Sequence, residues 1–402
     1  MLLRHLALAN FRNFVRLELD LPPQVILLQG ENAQGKTNLL EAIMLLSTAR
    51  SPRTSSDREW LSWHAERESM PYARLEASLK REREEEEVHL EMILAPTGNA
   101  TVNGLAFRKQ VRVNGTPCKA LDFVGILKVV LFMPEDVDLV AGAPTGRRRY
   151  LDIALCQMDN RYCHALSRYL RVLERRNALL RHLREAGGDP DQTAFWDREL
   201  VQAGSYVLAL RQAFVAALDV EARRVHWSLA GPEGNLHLRY LSSVPLPSGQ
   251  EGDRRSLGGA LPQVQEQVAQ AFWRTLQEIR ERERAAGATL AGPHRDDLQF
   301  LLGGRDLRTY GSRGQQRTAA LAVKIAEVTV MREQTGESPV LLLDDVMSEL
   351  DQARRKCLLQ VLDGSAQAIV TTTDWGDFAP EFRARAHCLQ VEAGQVRPVP
   401  TP

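Results

Sequence analysis

The chain begins in alternation. Over residues 1–20, apolar Leu2, Leu6 and Leu8, then Val15, Leu17 and Leu19, sit among polar neighbours. This is the two-residue period of strands with one buried face. The two strands flank Asn10-Phe11-Arg12-Asn13-Phe14, which places Arg12 and Asn13 at a turn. The run Val25-Ile26-Leu27-Leu28 predicts a buried strand, and Leu39, Leu40, Ile43 and Leu46 then recur at helical spacing. Strand patterns return over 73–79 and 88–94, with Glu84-Glu85-Glu86-Glu87 as a solvated hairpin end. Shorter strands are expected at 101–102 and 110–113, the second running into the hairpin signal Asn114-Gly115. An apolar strand over 126–132 is broken by Pro134-Glu135-Asp136.

The pattern then turns helical. One long helix is predicted over 146–184, a second over 195–229 and a third over 264–285, the first two joined by the turn Gly187-Gly188-Asp189-Pro190. Two long helices with a short connection predict an antiparallel arm. Arg168, Arg171, Arg175, Arg176, Arg181 and Arg184 line the first helix, as a solvated face pairing with Glu174, Glu185 and Glu199 or as contacts to an anion. A strand is expected at 237–241, a loop rich in Pro and Gly over 245–262, and strand pattern again at 298–302 before Gly303-Gly304. A helix over 318–331 and a core strand over 369–371 complete the reading.

Composition changes this picture little. The 402 residues leave room for two or three domains, and 44% apolar with 25% charged residues is ordinary for a globular chain. The formal net charge is zero, so nucleic acid would have to be met by a local basic patch. Cys118, Cys156, Cys163, Cys357 and Cys388 are scattered without a C-x-x-C pair, which supports neither a disulfide framework nor a zinc site. No apolar run reaches membrane-spanning length, and no signal-peptide core follows Arg4-His5. The expectation is a cytoplasmic protein with no membrane partner.

Candidate chemistry is concentrated in three places. Gly30-Glu31-Asn32-Ala33-Gln34-Gly35-Lys36-Thr37 matches G-x-x-x-x-G-K-[ST] between a predicted strand and a helix that opens with Asn38. Glycines let the backbone wrap phosphates, and loop amides and the helix start face negative charge. Lys36 is placed to reach the β- and γ-phosphates of ATP, and the Thr37 hydroxyl to ligate Mg²⁺. Arg12, at the turn before this strand, is a candidate phosphate or ribose contact. Val340-Leu341-Leu342-Leu343-Asp344-Asp345 is an apolar strand ending in two carboxylates. Asp344 is expected to hold Mg²⁺ with Thr37, and Asp345 to activate the attacking water. Ser312-Arg313-Gly314-Gln315-Gln316-Arg317 is a second anion-ready helix start, with an ordinary helix cap as its alternative. The order of P-loop, S-x-G-Q, Asp-Asp and then Ser348-Glu349-Leu350-Asp351 is that of ABC-type ATPases, in which two heads sandwich two nucleotides. Ser312, Gly314 and Gln315 would then act in trans, with Ser348 and Asp351 in the D-loop.

The combined motifs resemble the RecF family of bacterial recombinational repair ATPases over nearly the full length. They are Asn10–Phe14, Gly30–Glu41, Phe132–Asp136, Gly146-Arg147-Arg148-Arg149-Tyr150-Leu151-Asp152, Gly292-Pro293-His294-Arg295-Asp296-Asp297, Ser312–Arg317 and Leu343–Asp351. The resemblance implies an α/β fold, an ABC-type P-loop ATPase head with an antiparallel β layer plus an inserted, mainly α-helical arm lobe. Head segments are expected at 1–130 and 291–402, with the lobe at 131–290. It also implies an ATP- and Mg²⁺-dependent homodimer on gapped or double-stranded DNA, with RecR and RecO as partners and RecA loaded indirectly. Arg147, Arg148 and Arg149 are the first candidates for DNA phosphate contacts, with interface or fold roles as the equal alternative. Three departures from the wider ABC pattern imply slow hydrolysis. Glu135 and Asp136 stand where a glutamine is usual, Asp345 stands for the catalytic glutamate, and Thr372-Thr373-Asp374 stands for a histidine. The alternatives are a transporter's ATPase subunit and a short SMC-like structural protein. The signature and the inserted arm argue against the first, and the absence of a heptad run against the second.

Overall fold

A computed structural model describes residues 1–54, 56–65, 70–82, 86–101, 104–231, 235–246 and 261–400. Glu84, Glu85, Val102 and most of the expected 245–262 loop therefore lie outside the described residues. The chain forms two compact units, Met1–Asp136 with Thr335–Pro402, and Val137–Gln334.

The first unit holds two six-stranded sheets. One is antiparallel, in the order Phe14–Asp20, Leu2–Phe11, Ala73–Lys80, Glu87–Thr101, Gly104–Val113, Thr116–Cys118. Its hairpin at Asn114-Gly115 has positive φ at both residues, 49° and 74°, the geometry the dipeptide favours. The other sheet runs Gln395–Pro398, His387–Glu392, Val25–Gln29, Ala368–Thr372, Val340–Leu343, Val129–Phe132, and is parallel except for its first pair. Its central strands are apolar on both faces, as a covered parallel sheet requires. Ile26, Leu27, Leu28, Leu341, Leu342, Ile369 and Val370 are all fully buried. Gln367 ties the two sheets together. Its side chain accepts from the Leu3 amide and donates to the Leu3 carbonyl, both at 2.8 Å.

The second unit is mainly helical. Its principal helices are Pro144–Met158, Asn160–Ala186, Ala194–Ala230, Leu261–Glu278, Arg280–Ala286 and Arg313–Thr335. The helix expected over 146–184 is two helices. Asp159 breaks it with extended backbone, and its carboxylate caps the second helix by accepting from the amides of Arg161 and Tyr162. The helix expected over 264–285 is likewise two, divided at Ile279. Asp191–Ala230 is apolar enough to pass for a membrane span by length and composition, but 72% of its apolar window is buried. The core gathers Tyr169, Leu200, Leu208, Val268, Phe272 and Leu276.

This unit extends past the lobe boundary expected at 290. Asp297–Leu302 pairs antiparallel with Leu236–Leu241, so the segment after 290 is bonded into the lobe. The motif Gly292–Asp297 acts as its clasp. His294 accepts from the Tyr169 hydroxyl through Nδ1 and donates to the Thr289 carbonyl through Nε2, an arrangement that fixes a neutral tautomer. Burial pushes its pKa down to about 4. Asp296 accepts from Ser243 and the Tyr240 hydroxyl, and Asp297 from Arg147.

Among the described residues, three arginines are buried here. Arg147, Arg176 and Arg211 are each 2% exposed or less. Arg176, read from the sequence as part of the arm's exposed row, instead pairs with Asp197 at 2.7 Å and Glu283 at 2.6 Å and donates to Thr289. The pairings foreseen for a solvated face occur at Arg168–Glu199 and Arg184–Glu185. Arg176→Met strands two buried carboxylates and should cost about 3–5 kcal/mol in urea unfolding. Arg171→Gln, on the exposed side of the same helix, should stay within about 0.5 kcal/mol.

Candidate nucleotide site

The site is built at the C-terminal edge of the parallel sheet, the edge on which such folds bind ligands. Val25–Gln29 delivers the loop Gly30–Gly35 to that edge, and the helix Lys36–Thr48 leaves from it. Two glycines are required by space, and Gly35 by conformation as well. A Cβ on Gly30 would collide with the Val391 carbonyl, and one on Gly35, where φ is 119°, would lie 2.5 Å from the Asn13 side chain. Ala33 also has positive φ, at 65°. The loop is braced from outside. Asn13 donates to the Gln34 carbonyl at 2.8 Å and accepts from Asn38 at 2.9 Å, while the Ala393 amide donates to the Gln34 side chain at 2.7 Å.

Lys36 is buried and folded back on its own loop, donating to the carbonyls of Gly30 and Glu31. Burial lowers its pKa, opposed by the charges of Asp345 and Asp344. One strand separates Val25–Gln29 from Val340–Leu343, and the register sets Leu343 opposite Val370 and Gln29 opposite Thr372. That offset brings the Thr37 hydroxyl within 3.0 Å of Asp344 Oδ1. Thr371, on the intervening strand, donates to the same oxygen at 2.9 Å and accepts from the Asp345 amide at 2.9 Å. Asp345 sits in left-handed backbone with φ 49°, a conformation Asp tolerates better than most residues. Its Oδ1 is buried without a hydrogen-bond partner. Burial raises its pKa, with the Lys36 charge opposing and Asp344 adding to the rise.

Several predicted residues have other partners. Arg12 forms a two-pronged pair with Glu41, at 2.8 and 3.0 Å, and donates to the Glu59 carbonyl at 2.7 Å. In this structure it is therefore a brace, with three of its five N–H donors engaged by Glu41 and the Glu59 carbonyl. Ser348 donates to the Asp345 carbonyl at 2.8 Å, holding the turn that follows the Asp-Asp strand end. Asp351 caps the helix Gln352–Asp363 through the Arg354 amide. Thr372 donates to Asp377, and the loop after it carries Thr373 and Asp374.

In the second unit, Ser312 caps its helix. Its hydroxyl oxygen accepts from the Gln315 amide at 3.2 Å, and its own amide donates to the Gln315 side chain at 2.9 Å. Ser312, Arg313, Gly314 and Gln315 are all exposed. The candidate DNA arginines divide. Arg147 is corrected to a fold residue, since it is buried and makes a bidentate pair with Asp297 at 2.6 and 2.9 Å. Arg148 donates to the Asp296 carbonyl, and Arg149 is exposed.

Sequence reasoning missed Asn13, Glu41 and Thr371 as parts of the site. The first two stand inside the matched motifs, Asn13 beside Arg12 and Glu41 one helical turn beyond Thr37. Glu41 is 2% exposed and holds Ser51 as well as Arg12. For Thr371 the residues offered no signal, because its role depends on which strand lies between the two motifs.

Lys36→Ala should abolish ATP binding in isothermal titration, whereas Asp345→Asn should bind ATP and lose turnover. Because the Asp345 pKa is raised, its carboxylate takes up a proton at a pH where an ordinary Asp is still ionised. Turnover should therefore fall, as pH is lowered, above the ordinary carboxylate range, and wild-type rates measured across pH check this. Arg147→Gln should lower the unfolding midpoint, with any loss of DNA binding following only from that loss of stability.

Comparison with known proteins agrees with this geometry. The RecF/RecN/SMC N terminal domain family matches residues 2–383. The DNA replication and repair protein RecF of Chloroflexus aurantiacus is 44% identical over 98% of this chain and 99% of its own. Solved structures of the recombination mediator protein RecF-ATPrS and RecF-ATP in the RecFOR pathway are each 31% identical, with TM-scores of 0.84 and 0.83. Each covers 99% of this chain, and the match spans 98% and 97% of theirs. By sequence, by fold and by the loop that carries its chemistry, the chain belongs to the RecF family.

Proposed function

We propose that this chain is a DNA replication and repair ATPase that closes as a dimer around ATP on DNA and hydrolyses ATP slowly. The observation that carries this reading is the convergence of Lys36, Thr37, Asp344 and Asp345 at one sheet edge. Lys36 exchanges the carbonyls of Gly30 and Glu31 for phosphate oxygens when ATP enters, and the loop amides from Glu31 to Thr37 line the phosphate chain. Thr37 and Asp344 offer two hard oxygens 3.0 Å apart, a donor set that fits Mg²⁺. When bound there, Mg²⁺ would supply charge neutralisation at the β- and γ-phosphates. Asp345, with an unpartnered oxygen and a raised pKa, is the group suited to take the proton of the attacking water. A carboxylate shorter than glutamate and a threonine–aspartate loop in place of an imidazole fit slow turnover, a timer rather than a motor.

Ser312 is the trans contact of this reading. Its oxygen is engaged by the Gln315 amide, but its hydroxyl proton remains to be donated. A γ-phosphate held by one copy's Lys36 is then gripped by the partner copy's Ser312 and Gly314, and ADP lacks the bridging group. Each such hydrogen bond to a charged group contributes about 1.5–3 kcal/mol, so two sites favour the closed dimer by several orders of magnitude. The DNA is gapped or double-stranded, the setting is cytoplasmic, and the partners are RecR and RecO, with RecA loaded as the outcome. These partners rest on family membership.

Mixing two inactive variants tests the trans arrangement. In a dimer of Lys36→Met with Ser312→Arg, one site carries both lesions and the other carries neither, so DNA-dependent ATPase activity should partly return. If Ser312 serves the nucleotide of its own subunit, every site stays defective and mixing restores nothing.

A further inference from the structure

We infer that one exposed flank of the arm helix Asn160–Ala186 is a track for the phosphate backbone of duplex DNA. The inference rests on the DNA-binding function proposed above and assigns it a surface. The helix buries Tyr162, Tyr169, Val172, Arg176, Leu180 and Leu183 along one side. At about 100° per residue, Arg161, His164, Arg168, Arg171, Arg175 and His182 fall within an arc about 80° wide beside that buried face. All six are exposed. Leu179 and Ala186 are the other residues of the helix on this arc, and its two carboxylates, Glu174 and Glu185, fall outside it. The four arginines and two histidines follow one another mostly every three or four residues, an interval of about 5 Å along the axis, and the row is about 30 Å long.

The neighbouring helix adds little negative charge. Glu199 pairs with Arg168 at 2.6 Å, and the Trp196 ring lies 5.6 Å from the Arg175 guanidinium. Asp159, at the start of the helix, is occupied by its capping amides and by the Tyr206 hydroxyl. Arg171 has no hydrogen-bond or ion-pair partner among the described residues. A helix needing only a solvated surface would alternate the signs of its charges along such a flank, as its own Glu174 and Glu185 do elsewhere. Here four arginines follow one another on the arc over about four turns with no carboxylate of the helix among them, in a chain whose net charge is zero.

The choice of occupant follows from shape and chemistry. A protein partner is anchored by buried aromatic or aliphatic groups, and this arc offers a half-buried Leu179 and an alanine. A DNA strand carries phosphates at regular intervals along its path, so a row of this length lies beside several of them. Guanidinium forks suit phosphate oxygens, and such contacts position a duplex without reading its bases.

The test compares the wild-type chain with Arg161→Gln/Arg168→Gln/Arg171→Gln/Arg175→Gln and with the matching four-lysine variant. Binding to labelled gapped and intact duplexes longer than the row is followed by fluorescence anisotropy over a salt series, with melting curves confirming that each variant is folded. The glutamine variant should bind all sequences more weakly, with the log–log salt slope shallower by about 3 to 4, and the lysines should restore most of that slope. Wild-type binding with an unchanged slope in the glutamine variant overturns the inference and leaves the proposed function standing. Unchanged DNA binding together with lost binding of polyglutamate also overturns it, in favour of an acidic protein partner. A wild-type chain that binds ATP but no DNA at low salt overturns the DNA-binding part of the proposed function, and this inference with it.

Discussion

The hydroxyl of Thr371 joins the two halves of the nucleotide chemistry. It is fully buried on the strand between the P-loop strand and the strand that ends in Asp344. It donates to Asp344 and accepts from the Asp345 amide, so one small polar group aims the first carboxylate and fixes the backbone of the second. Thr37 completes the arrangement from the other side. Strand order, left-handed backbone at Asp345 and the position of the P-loop helix must all agree for these bonds to form. A buried hydroxyl with a donor and an acceptor role both filled is stable in the core, and half-filled it is costly.

Around this centre a second layer of polar contacts holds the loop in shape before any nucleotide arrives. Asn13 fills the space beside Gly35, and Arg12 with Glu41 locks the turn Arg12-Asn13 to the P-loop helix. A loop braced in this way needs little rearrangement of its backbone to take up a ligand. Lys36 is the exception. Its ammonium is parked on two loop carbonyls, which satisfies a buried cation in the meantime.

Arginine, used far more than lysine in this chain, serves two physical ends. Arg147, Arg176 and Arg211 are sealed in the second unit, each with a carboxylate partner and a further acceptor. A buried guanidinium survives only with its donors so matched, and the planar fork makes that possible for several acceptors at once. The arginines facing solvent on the helix Asn160–Ala186 are free of that constraint and are mostly weakly paired. The same residue type on the same helix therefore belongs to the fold at Arg176 and to the surface at Arg171.

What the sequence determined by itself was local. Alternation and helical period located most strands and helices, because burial of one face imprints a period on the chain. The P-loop, the Asp-Asp strand end and the serine helix start were legible because their chemistry needs particular residues at fixed short spacings. Asn114-Gly115 foretold its hairpin for the same reason. The tertiary structure decided what depends on distant partners. The break at Asp159 comes from a cap completed by Tyr206, and the placement of 291–334 in the second unit from a strand pairing across the chain. Arg147 is buried because Asp297, far along the sequence, lies beside it. Arg12 faces Glu41 and Thr371 joins two motifs for the same kind of reason: a side chain's role follows from its neighbours in space, and spacing along the chain records only those a few residues away.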